Sequence, residues 1–182
     1  MPSNKDRLYV ALYARGGQPR MPGGEDKYHW AFITGPKVIT QQSAGRRIHA
    51  KERMGQSGSG SHWEYENRSI SMLPTAMILV RVVVGKIEDN ARLISIMESV
   101  PVRGNQPGWN CVEWLKEALE LLGKDKKALG TSVTDWKTVR DGCMQYVQTK
   151  AAQHRFDGQA PGKFDDSKVA TYDLLERKEI QE

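Results

Sequence analysis

The sequence predicts an α+β domain in which an antiparallel β-sheet packs against a cysteine-bearing helix. Segments with strand chemistry fill the first half of the chain and segments with helical periodicity the second, the order of an α+β fold rather than an alternating α/β one. The best-patterned helix opens on Asn110-Cys111 and carries an apolar stripe through Leu115, Ala118 and Leu122. The 182 residues, 38% hydrophobic and 27% charged, have ordinary globular composition, which excludes wholesale disorder and collagen- or mucin-like arrays. One domain of this length buries roughly 70% of its unfolded surface and folds without disulfide staples.

Each element follows from local chemistry. Residues 7–14 (RLYVALYA) are dense in β-branched, aromatic and aliphatic side chains and stop at Gly16-Gly17. The Gly/Pro-rich loop over 16–24 reads as the mobile rim of a cleft. Residues 28–34 (YHWAFIT) form the next strand, closed by the Gly35-Pro36 turn. A third strand covers 46–54, and 55–61 (GQSGSGS) reads as a flexible hinge or flap. A short strand over 62–67 and a long central one over 77–87 complete the sheet. From Asp89 the period turns helical. A helix over 89–99 places Leu93, Ile94 and Met97 on one face, and a second over 111–122 is stopped by Gly123. A third over 135–154 carries Trp136, Val139, Cys143, Tyr146 and Val147. Residues 1–156 read as one domain and 157–182 as a tail docked on it.

No apolar run approaches 18 residues, so no membrane span is expected. The N-terminal residues are polar with no hydrophobic region behind them, and the two cysteines, Cys111 and Cys143, are too few for a disulfide framework. The expectation is a cytoplasmic protein with free thiols. The net charge is +5 but uneven: residues 163–182 hold four basic and six acidic side chains, so the first 162 carry +7. That biases the body toward phosphate-bearing partners.

Asn110 is a favoured N-cap, and Glu113 three residues later has the spacing of a capping box, which puts Cys111 at the first helical position. The helix dipole and unpaired N–H groups there favour thiolate, and the same N–H groups suit an oxyanion formed after attack on a carbonyl. A small buried hydrophobe at a helix start is the plain alternative. Cys143, mid-helix on an apolar stripe, reads as structural. A nucleophilic thiol needs a base. His29 shares a strand face with Ala31 and Ile33, His49 lies on the next strand, and His62 and His154 read as surface residues.

Together these pieces resemble the NlpC-type papain-like cysteine peptidases. The resemblance rests on the strand Tyr28-His29-Trp30-Ala31-Phe32-Ile33, on Gly35, and on Ile48-His49-Ala50. In the usual members the cysteine helix precedes these strands. Here it follows them, as in the circularly permuted branch that includes lecithin:retinol acyltransferase-like enzymes, whose "NC" pair Asn110-Cys111 matches. The likeness covers about residues 7–122. It implies Cys111 as nucleophile with its own N–H toward the oxyanion, His29 as general base and His49 as the residue that orients it. The gap from His29 to His49 is longer than in those peptidases, so Glu64 stands as an alternative orienter.

The order YHWAFITGPK, WEYE, VGKIED, NCVEWLKEAL, DW and TYDLLERKE resembles a set of fungal proteins that includes the arginine-containing cyclodipeptide synthases. These condense aminoacyl groups from charged transfer RNA into secondary metabolites. The resemblance implies an aminoacyl-tRNA donor and a small amino-acid or peptide substrate. Glu52, Glu64, Glu66 and Glu113 are then candidate acceptors of a guanidinium, with Trp30 and Trp109 beside them. No CxxC, HExxH, Walker or GxGxxG motif is present, and no metal or cofactor is expected, although Cys111, His29 and His49 are a conceivable zinc set. Three functions stay open: a thiol acyltransferase, a thiol hydrolase, and a non-catalytic binding module.

Overall fold

A computed structural model describes residues 4–182. The elements in chain order are β1 (Arg7–Ala14), β2 (Tyr28–Gly35), β3 (Ala44–Met54), β4 (Ser61–Ser71), β5 (Ile78–Ile87), α1 (Asn90–Ser99), α2 (Cys111–Asp125), β6 (Leu129–Ser132), α3 (Trp136–Ala152), β7 (Ala170–Asp173) and β8 (Lys178–Gln181). One eight-stranded sheet runs β4-β3-β2-β1-β5-β7-β8, with β6 paired to β5 beside β7. Every described pairing is antiparallel except β5 with β7, which is parallel over Val80–Val83 and Ala170–Asp173. The architecture is therefore α+β with a mostly antiparallel sheet and three helices.

Strand alternation splits the sheet into two faces. One carries Leu8, Val10, Leu12, Trp30, Phe32, Ile48, Val80 and Val82, and all three helices pack on it through Leu93, Trp114, Leu115, Val139 and Val147. The other carries Tyr9, Ala11, Tyr13, Ala31, Ile33, Met72 and Val83, a smaller apolar cluster with no helix over it. Cys143 is fully buried in the helix-side core, and burial pushes its thiol pKa far up, as a structural cysteine requires. No helix among the described residues is long and apolar enough to cross a membrane.

Several expectations change. The segment 157–182 is no docked tail: its β7 lies alongside central β5, with Val169, Ala170 and Thr171 buried, and completes the sheet. Helix α2 runs through Gly123 to Asp125 and ends at Lys126, whose φ of 58° is left-handed. Gly123 serves close packing instead, because a Cβ there would lie 2.6 Å from Thr134 Oγ1. The stretch 55–61 is the tip of the long β3–β4 hairpin, which pairs from Ala44↔Ser71 to Met54↔Ser61 and turns through left-handed Ser57, Gly58 and Gly60.

Candidate functional site

β2 begins where Gly24, at φ 72°, turns the chain into a short 3-10 segment, Glu25–Lys27. Glu25 is buried; its carboxylate accepts from Arg140 Nε of α3 at 2.8 Å, and its carbonyl accepts from the Trp30 indole at 2.8 Å. Those contacts fix where His29 emerges. The β2–β3 ladder covers only Phe32↔Ile48 to Thr34↔Arg46, so the first half of β2 and the second half of β3 are not hydrogen-bonded to each other. The imidazoles of His29 and His49 bridge this parting, with His29 Nε2 2.6 Å from His49 Nδ1.

His49 sits directly across from Glu66 in the β3–β4 ladder, and His49 Nε2 lies 3.0 Å from Glu66 Oε1. The carboxylate also accepts from Arg47 Nη2 at 3.2 Å and Lys51 Nζ at 2.7 Å. Burial works against its charge, but hydrogen bonds from Lys51, His49 and Arg47 outweigh it and hold the Glu66 pKa down at about 2. An ionised Glu66 only accepts, so His49 Nε2 carries the proton and His49 Nδ1 is the acceptor for His29 Nε2–H. That leaves His29 Nδ1 with a free lone pair. Burial, reinforced by neighbouring His49, Arg15 and Arg47, lowers the His29 pKa to about 3. Burial likewise lowers that of His49 to about 4, against the pull of Glu66. Both rings are neutral at pH 7.

Cys111 opens α2. The Asn110 side chain accepts from Val112 N at 2.9 Å and Glu113 N at 3.4 Å, so the N-cap forms as its spacing predicts. The sulfur is faced by the backbone N–H groups of Trp30, Cys111 and Val112 and by the charge of Arg15. The thiolate expected at a helix start is nonetheless not favoured. The residue is 0% exposed, and burial outweighs these donors and raises the thiol pKa. The Cys111 N–H, which no turn of its own helix can use, is left facing the sulfur.

Cys111 lies on the helix side of the sheet, whereas His29 and His49 alternate with Trp30, Phe32 and Ile48 and so belong to the opposite side. The two halves of the site meet at the parted end of β2, where the sulfur faces the N–H of Trp30, the residue after His29, and Arg15 acts on both groups. No hydrogen bond joins Cys111 to His29 among the described residues.

The remaining candidates differ in what the structure does with them. Trp30 is fully buried with its indole N–H satisfied, so it is a core residue and not a substrate contact. Glu66 is committed to His49, Arg47 and Lys51, which corrects its expected substrate role to one of orienting His49. Glu64 is tied to Arg53 and lies 3.7 Å from His62, away from His29, so it is not the orienter. Glu52, its side chain 40% exposed, accepts from Ser61 Oγ at 2.6 Å and makes only a long 3.4 Å contact to Arg15. Trp109 packs edge-to-face on Trp63 at 5.6 Å, and the Arg15 guanidinium lies 5.9 Å from the Trp63 ring centre. Glu113 is half-buried in the first turn of α2.

Arg15, Trp63 and Tyr13 are parts of this region that sequence reasoning did not assign. Tyr13 sits 6.1 Å from the His29 ring and under Arg47. Trp63 was visible as an aromatic in the WEYE strand, but its proximity to Trp109 depends on a hairpin register that no local pattern gives. Among the described residues no three His, Cys, Asp or Glu side chains are grouped as metal ligands would be.

A family model described as a family of unknown function (DUF6914) matches residues 5–181, and the chain belongs to that family. No curated protein and no solved structure matches it.

Proposed function

We propose that this member of the DUF6914 family is a cysteine-dependent acyltransferase of permuted papain-like type. The observation that carries the reading is the relay His29–His49–Glu66, which leaves His29 Nδ1 as a bare lone pair on the strand whose next N–H faces Cys111. In this reading donor binding at the parted end of β2 brings Cys111 Sγ within reach of His29 Nδ1, which takes the thiol proton as sulfur attacks an ester carbonyl. The oxyanion takes the Cys111 N–H, and the leaving oxygen departs with the proton from His29. An amine then attacks the thioester, and the thiolate regains a proton. Because thiol and imidazole are both neutral at rest, the base acts during attack and no ion pair stands ready beforehand.

The donor we propose is an aminoacyl-tRNA and the product an arginine-containing cyclic dipeptide. Loading of one aminoacyl group on Cys111, attack by the amine of a second aminoacyl ester, and closure of the resulting dipeptidyl ester by its own free amine account for every bond. The net +5 charge suits a tRNA donor, and partly exposed Glu52 beside Trp63 and Trp109 suits a guanidinium. The complete burial of Cys111 favours an amine held in the site over water, which places hydrolysis second.

The test compares small molecules by mass spectrometry from cells expressing the wild type and Cys111→Ala. An arginine-bearing cyclic dipeptide seen only with the wild type, and abolished by ribonuclease when the reaction is run with charged tRNA, is the expected result. A product that persists in Cys111→Ala would sink the nucleophile assignment. Release of free amino acid alone would favour the hydrolase.

A further inference from the structure

The helix-free face of the sheet holds a cavity of about 800 Å³, roofed by the β2–β3 connection, the segment after β4, and the C-terminal residues around β7 and β8. This is the size of a small-molecule site. Its apolar wall includes Val38, Ile39, Met72, Leu73, Val169 and Ile180. Val38 and Ile180 are among the few large hydrophobics left well exposed, at 69% and 44%.

Arg81, on β5, reaches into this cavity and is only 3% exposed. A guanidinium buried that deeply normally faces a carboxylate, because removing its charge from water is costly unless it is paired. Arg81 has no ion pair among the described residues. Its one hydrogen bond runs from Nη1 to the Met72 carbonyl at 2.8 Å, and Nε is buried with no partner at all. The Tyr9 ring lies 5.7 Å away, a weak substitute for an anion.

The other charges lining the cavity are already engaged or balanced. Lys178 pairs with Glu176, Asp166 with Arg155, and the Asp173 carboxylate caps the N–H groups of Leu175 and Glu176. In all, four cations (Lys37, Arg81, Lys168, Lys178) face three carboxylates (Asp166, Asp173, Glu176), leaving one positive charge. A monoanion neutralises that excess, whereas a dianion would overshoot it beside three carboxylates.

We propose that this cavity is a second ligand site, distinct from the thiol site, which binds an amphipathic carboxylate with its head on Arg81 and its apolar body along Val38, Met72 and Ile180. A carboxylate matches a guanidinium that has no counter-ion among the described residues, and the apolar wall supplies the remaining affinity. The site is independent of the chemistry assigned to Cys111.

The experiment is calorimetric titration of the full chain with decanoate, decanol and inorganic phosphate in turn. Wild type is expected to bind decanoate at least tenfold more tightly than decanol, and phosphate not at all. Arg81→Met keeps the apolar stem and should abolish that preference while decanol binding is unchanged. The rim variant Ile180→Asp, which leaves Arg81 in place, should weaken both decanoate and decanol. Cys111→Ala should bind decanoate as the wild type does. Equal affinity of wild type and Arg81→Met for decanoate, binding of phosphate in its place, or loss of decanoate binding in Cys111→Ala would each overturn the proposal.

Discussion

At the scale of single residues, the proton on His49 decides what the site can do. Glu66 fixes it on Nε2, so the ring turns its other nitrogen to His29 and leaves His29 Nδ1 open. Glu66→Gln can donate as well as accept and no longer enforces one tautomer. It should lower kcat by about 10-fold or more, within the range typical of supporting hydrogen bonds to catalytic histidines, with little change in KM. His49→Phe should lower kcat further. Unchanged kcat/KM pH profiles in both variants would remove the relay from the mechanism. The cap is a separate matter: Asn110→Ala loses two accepted N–H bonds and should cost about 1 kcal/mol by urea denaturation. The cap at Asn110 and the position of Cys111 were legible because they depend on local spacing, whereas His29 and His49 took their roles only through the resemblance to the NlpC-type peptidases. Glu66 was read as a substrate acid because its partners Arg47, His49 and Lys51 lie on another strand, and only the register brings them together.

At the scale of elements, the strands that local pattern shows are those long enough to alternate. β6, β7 and β8 have four residues each, and their composition (LGTS, ATYD, KEIQ) carries no apolar alternation, so they are invisible until the sheet is built. The burial of Val169 and Ala170 against β5 shows that β7 is nevertheless core. Truncation after residue 169 should therefore abolish the cooperative unfolding transition, as read by circular dichroism. A truncated chain that still melted sharply would return this segment to the status of a docked tail. Hairpin closeness is tested at Gly45, where a Cβ would lie 2.3 Å from the Thr34 carbonyl oxygen of the neighbouring strand. Gly45→Ala has to push the two backbones apart, and it should destabilise by about 1–3 kcal/mol, as overpacking does.

For the whole molecule, the buried histidines make stability depend on acid. In the unfolded chain both titrate near 6.5, whereas in the folded chain their pKa values are about 3 and about 4. Between those limits the unfolded state binds more protons, so stability rises with pH through the window. It is complete above pH 6.5, is lost progressively as pH falls below that, and the loss levels off once pH has passed about 4 for His49 and about 3 for His29. Melting temperatures measured from pH 7 to pH 4 should fall steadily, and the slope should shrink in His29→Gln. The α+β class was legible because strand chemistry fills the first half of the chain and helical periodicity the second, whereas the strand order was not, since β5 pairs with β1 and not with its chain neighbour β4. The two-faced character of the sheet was not, since it needs to be known which strands are central and which side the helices cover. Placing the cysteine and the histidines on different faces is a property of the assembled sheet.

The sealed, neutral state of Cys111 also bears on how the protein meets oxidants. Peroxide and alkylating reagents attack thiolate that is open to solvent, and here the sulfur is both protonated and covered. At pH 7 iodoacetamide should modify Cys111 of the folded protein much more slowly than in the urea-unfolded chain, and equal rates would contradict this seclusion. A thiol held neutral and out of solvent can therefore sit in peroxide without being driven to sulfinic acid.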